Sequence, residues 1–139
     1  KYGKLIMNLA NVLDAAGGDA GTRSPVAAAA RAEGTAVLAA AGIAMTDVGP
    51  ADERRQRLLQ MQPVSGAERL GSSSFQSLLR GTGSLETDYL NGEIALIGRL
   101  HGTPTPVNDG LCRLGRRLLR DRIAPGSLSL VQIEALMAG

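Results

Sequence analysis

No segment of this chain sustains an alternation of apolar and polar residues with period two; its apolar residues recur at helical spacing between glycine and proline breaks. That periodicity directs the chain toward packed helices. Aromatic content leads to the same place, at only 2% (Tyr2, Phe75 and Tyr89, with no Trp). A core built from Ala, Leu, Ile, Val and Met suits helix packing better than a β-sandwich. With 139 residues the chain is one domain, long enough to bury roughly two-thirds of its unfolded surface. The expectation is an all-α, compact six- to seven-helix domain over 1–139, with short connections.

Local signals place the helices. Tyr2 to Ala15 is predicted as the first, stopped by Gly17-Gly18 with GGDAGTRS as a loop. Ser24 as N-cap and Pro25 at the first helical position open an Ala-rich helix toward Ala41-Gly42, weakened in its middle by Gly34. After a connector over 43–50, Pro50, Asp52 and Glu53 start a third helix to Met61, with acids in the first turn as the dipole favours. Pro63 to Gly71 reads as irregular. Ser72 to Arg80 is a short helix cut by Gly81-Thr82-Gly83, and Thr87 to His101 is the next, broken at Gly102-Thr103-Pro104. Thr105 before Pro106 caps a helix to Ile123, and Ser127 or Ser129 caps a last one through Leu136. The chain opens without Met and inside a helical pattern, so it is expected to be a fragment of something longer.

Several functions are disfavoured by what the chain carries. A net charge of +2 is too small to form an electrostatic footprint for a polyanion. Scarce aromatics remove the stacking platforms of single-stranded nucleic-acid binding. Arg113, Arg116, Arg117, Arg120 and Arg122 form a basic run that reads as a solvated helix face, with no turn-and-recognition pair before it. A nucleic-acid partner is therefore not expected. Nor is a membrane one, since no stretch has transmembrane length and no signal-peptide pattern opens the chain. A lone Cys112 excludes an internal disulfide and agrees with a reducing, cytoplasmic setting. It reads as a small core residue. His101 is the only imidazole, so no His-based metal site or Ser–His–acid triad is expected; it reads as a cation near a helix C-terminus. Gly81-Thr82-Gly83 lacks the strand, the third glycine and the acid of a dinucleotide fingerprint and reads as a helix breaker.

One stripe has a different character. Lys4, Asn8 and Asn11 stand at i, i+4 and i+7, which at about 100° per residue falls within roughly 60° of arc. One ammonium and two carboxamides there offer charge, donors and acceptors to a small polar partner, with no carboxylate in the stripe to neutralise the lysine. A solvated face is the other reading of the same pattern. Farther along lie a polar cluster, Ser72-Ser73-Ser74-Phe75-Gln76, and an acidic helix start in Glu86-Thr87-Asp88-Tyr89-Leu90-Asn91-Gly92-Glu93. The acids there could equally be a complement to the helix dipole.

In order along the chain, four patterns together resemble the C-terminal domain of the ketopantoate reductase (2-dehydropantoate 2-reductase) family. They are Lys4-Leu5-x-x-Asn8 with a second Asn following; Ser72-Ser73-x-x-Gln76; Glu86-Thr87-Asp88-Tyr89-Leu90-Asn91-Gly92; and Gly102-Thr103-Pro104-Thr105-Pro106-Val107-Asn108. The resemblance covers about residues 1 to 120 and implies a helical domain like that of 6-phosphogluconate dehydrogenase. It also implies an NADPH-dependent reductase that converts 2-dehydropantoate to pantoate, or acts on a close 2-oxo acid, within pantothenate biosynthesis. On that implication Lys4 is the general acid and electrostatic stabiliser, and Glu86 holds the substrate hydroxyl and orients the lysine. Asn8, Asn11 and Ser73 bind substrate. The family's second asparagine falls one residue later, where this chain has Val12, so Asn11 takes its role only across a deletion or local bulge. Ser77 and Leu85 replace the family's usual acid and threonine, leaving the exact 2-oxo acid open. NADPH would belong to an N-terminal nucleotide-binding domain that this chain lacks, so the fragment alone is expected to be inactive. A homodimer stays open, as does a non-catalytic helical interaction or dimerisation module that keeps the fold.

Overall fold

The computed structural model describes residues 2–45 and 71–139. The helix expected from Pro50 to Met61, and most of the irregular stretch after Pro63, lie outside the described residues. Among the described residues there are seven helices and no strand: α1 (Tyr2–Asn8), α2 (Asn11–Thr22), α3 (Pro25–Ala40), α4 (Ser73–Arg80), α5 (Thr87–Leu100), α6 (Pro106–Arg120) and α7 (Leu130–Ala138). The expected all-α class is what is found. Local caps account for several boundaries. The side chains of Ser24, Ser72 and Ser129 accept from Ala27 N–H, Phe75 N–H and Gln132 N–H respectively, and Gln132 completes a capping box.

The first predicted helix differs in two ways. It breaks at Leu9 and Ala10, where Leu9 N–H bonds back to Ile6 at 3.4 Å and Leu13 N–H to Ala10 at 3.0 Å, each one residue tighter than an α-helical bond. The carbonyl of Leu9 is then taken up by the Asn91 carboxamide at 3.1 Å, so the break leaves no buried orphan. Further on, Gly17-Gly18 kinks the chain without ending the helix. Gly18 adopts φ 59° and ψ −139°, open to glycine alone at little cost. The turn that follows folds back so closely that a Cβ on Gly21 would collide with the Leu13 carbonyl.

Leu9, Leu13, Leu38, Ile94, Leu111, Leu114, Leu118 and Ile133 form the fully buried centre. Around it α6 lies between α5 and α7 and also touches α3, while α2 meets α4, α3, α6 and α7. A short polar chain crosses this apolar interior. Asn91 donates to Leu9 O and to Asn108 Oδ1 (2.9 Å), and Asn108 donates to Ala30 O (3.1 Å) and Glu33 Oε2 (2.7 Å). Glu33 also accepts the N–H groups of Val107 (3.0 Å) and Asn108 (2.8 Å). The N-terminus of α6 is therefore capped from α3. Thr105, expected to cap it, makes no cap bond and turns to Asp109 at 3.1 Å. The same helix ends at Arg120, short of the expected Ile123, because Asp121 caps it and Arg122 leaves at φ 50°.

Candidate functional site

The break at Leu9 and Ala10 decides which side chains reach one shared space. Before it, α1 presents Lys4, Leu5 and Asn8; after it, Asn11 opens α2 toward the same side. Across from them stand Ser72 and Ser73 at the start of α4, with Glu86 and Leu90 at the start of α5. These residues line an open cleft of about 630 Å³. Val12, by contrast, is buried in the core at 1% exposure. The structure thus brings together Lys4, Asn8, Asn11, Ser73 and Glu86, the residues singled out in the sequence.

Hydrogen bonds order one wall of the cleft. Ser73 Oγ donates to Glu86 Oε2 at 3.0 Å and accepts from Asn11 Nδ2 at 3.4 Å. Leu5 and Leu90 supply apolar surface beside the polar groups. Among the described residues the lining carries one cationic side chain, Lys4, and one anionic side chain, Glu86. A small acceptor-rich molecule would meet an ammonium and two carboxamides, and its own hydroxyl could replace that of Ser73 as donor to Glu86, freeing the Ser73 proton for the molecule.

One residue escaped the sequence reading. Asp14 is buried at 6% exposure, and its Oδ2 accepts the Ser72 N–H at 2.6 Å. Its signal was an acid inside the apolar run Val12-Leu13-Asp14-Ala15-Ala16, where an unpaired charge would be costly. The other singled-out features are structural. Gly81 takes the left-handed conformation at φ 62°, and the N–H groups of Gly81 and Thr82 return to the Leu78 and Ser77 carbonyls. They close α4 and are spent on it. His101 is the C-cap of α5. Of the basic run, Arg113 donates to Met137 O at 2.7 Å, Arg116 pairs with Asp88 at 2.9 Å, and Arg120 with Asp121 at 2.6 Å. No helix among the described residues is long and apolar enough to cross a membrane.

The described residues thus form an all-α domain in which these groups line one polar cleft. The family model described as "Ketopantoate reductase PanE/ApbA C terminal" matches residues 4–118, and the chain belongs to that family. The match takes in every cleft residue among the described ones and stops within α6, so α7 lies beyond it. The chain matches no curated protein and no solved structure. Gly81-Thr82-Gly83 does not suit the phosphates of a nicotinamide nucleotide. No strand among the described residues leads into it, and the N–H groups of Gly81 and Thr82 are already bonded.

Proposed function

We propose that this chain is the substrate-side domain of an NADPH-dependent reductase acting on 2-dehydropantoate or a closely related 2-oxo acid. The observation that carries this reading is the gathering of Lys4, Asn8, Asn11, Ser73 and Glu86 around one cleft, within a family-matched domain. In this proposal NADPH and its hydride are supplied from a separate nucleotide-binding domain, and the residues of this chain handle the acceptor. The Lys4 ammonium points its charge at the ketone oxygen, stabilises the alkoxide as it forms and delivers a proton to it. Asn8 and Asn11 donate to the remaining substrate oxygens. Ser73 turns its hydroxyl toward the carboxylate end, and Glu86 accepts from the substrate hydroxyl while orienting Lys4.

The test is NADPH-dependent reduction of 2-dehydropantoate by the intact protein that carries this chain. Charge at the ketone oxygen develops only in the transition state, so Lys4→Ala should lower kcat by about 100- to 1,000-fold and change KM much less. Lys4→Arg should restore little, because guanidinium is bulkier and too weak an acid to give up its proton. Near-normal turnover in Lys4→Ala would remove the catalytic assignment and favour a non-catalytic interaction module.

A further inference from the structure

We infer that Asp14 is a positioning residue for this cleft: its buried carboxylate locks the start of α4 onto α2 and thereby sets Ser73 between Asn11 and Glu86. The inference rests on the proposed reading of the cleft as a 2-oxo acid site. Both carboxylate oxygens of Asp14 are engaged. Oδ2 accepts the Ser72 N–H at 2.6 Å, and Oδ1 lies 3.4 Å from the Thr22 hydroxyl, which also reaches the Gly18 carbonyl at 3.1 Å. Ser72 is held a second time, because its Oγ donates to the Asn11 carbonyl at 3.1 Å and accepts the Phe75 N–H at 3.2 Å. The residue that precedes α4 is thus tied through backbone and side chain to the stretch of α2 that begins at Asn11.

Ser73 follows directly and is itself exposed. Buried Ser74 and the core-packed Phe75 and Leu78 fix the body of α4, and the tether at Ser72 fixes its first turn, where Ser73 stands. A bond from N–H to a carboxylate is shorter and stronger than one to a neutral oxygen. Burying that charge is tolerable only because its oxygens are bonded. Displacing a substrate-binding group by about 1 Å can cost on the order of 100-fold in rate, so a rigid tether here has consequences for the cleft. Asp14 touches no cleft space of the main site and acts through Ser72 and Ser73.

The experiment is a double-mutant cycle in the intact protein with 2-dehydropantoate and NADPH, joined to amide-proton NMR. Asp14→Asn keeps the shape and removes the charge. It should raise substrate KM about tenfold while kcat stays within about threefold, as for loss of a charge-assisted bond that orients a binding group. In a Ser73→Ala background the further rise should shrink to less than about twofold, because the two residues act as one unit. The Ser72 amide proton should be shifted downfield and protected in the wild type, less so in Asp14→Asn, whose neutral Oδ1 still accepts, and should lose both properties in Asp14→Ala. A lowered melting temperature with unchanged KM, or full additivity with Ser73→Ala, would overturn the inference. Failure of the functional reading looks different: absent turnover in the wild type, or full turnover in Lys4→Ala. Even then, an undisturbed Ser72 amide in Asp14→Ala rejects the tether, and a lost one upholds it.

Discussion

Cys112 lies on α6 with 6% of its surface exposed, its thiol turned toward the Thr87 carbonyl. Burial pushes its pKa from 9.0 to about 11, and the nearby Asp88 and Asp109 carboxylates add to the rise against the opposing pull of Arg116 and Arg99. Two outcomes are expected. At pH 8 the folded protein should resist a maleimide or disulfide reagent and react fully only in denaturant, since the reactive thiolate is scarce and screened. Between pH 9 and about 11 the unfolded chain releases this proton while the folded chain keeps it. Stability is thus fully present below pH 9 and declines as pH rises through that window. Denaturant titrations at pH 8 and pH 10.5 should show the decline, and Cys112→Ala should lack this component of it.

At the level of helices, the carboxylate of Glu33 joins α3 to α6 by accepting two backbone N–H groups and the Asn108 carboxamide. Glu33→Ala removes all three bonds at a helix start and should cost about 2–3 kcal/mol in denaturant unfolding. Thr105→Ala, which removes no cap bond, should cost less than about 1 kcal/mol. A reversed order would show that Thr105 caps α6 in solution. This contrast also explains what could be read in advance. Ser24, Ser72 and Ser129 cap helices whose partners lie three residues away, so their signal was local and legible. Glu33 reaches residues more than seventy positions away, and nothing near it in the sequence marks it as a cap. The break at Leu9 and Ala10 was hidden for the same reason: the group that compensates it, Asn91, is 82 residues distant. Lys4, Asn8, Asn11, Ser73 and Glu86 could be gathered as candidates because residue type, helical spacing and resemblance converged on them. Asp14 could not, since its partner Ser72 caps another helix, 58 residues away.

Across the whole molecule, the run from Leu9 through Asn91 and Asn108 to Ala30 and Glu33 connects the α1–α2 junction with α3, α5 and α6. Asn91 and Asn108 are both buried, at 1% and 0% exposure. Replacing Asn91 with Leu would leave the Leu9 carbonyl and the Asn108 oxygen without this donor, and each such orphan costs about 1–3 kcal/mol. Asn91→Leu should therefore lower stability by about 2–5 kcal/mol by denaturant titration, despite the gain in apolar surface; an unchanged midpoint would show that the interior relaxes around the change. The same bond has a consequence for heat. Leu9 stands between Asn8 and Asn11, so Asn91 fastens from below the stretch of chain that carries both cleft carboxamides. Through that bond this stretch of the cleft lining is tied directly to the interior. Ligand affinity should hold nearly level with rising temperature and then collapse along the melting curve itself, so any shift in working temperature must retune cleft and interior together.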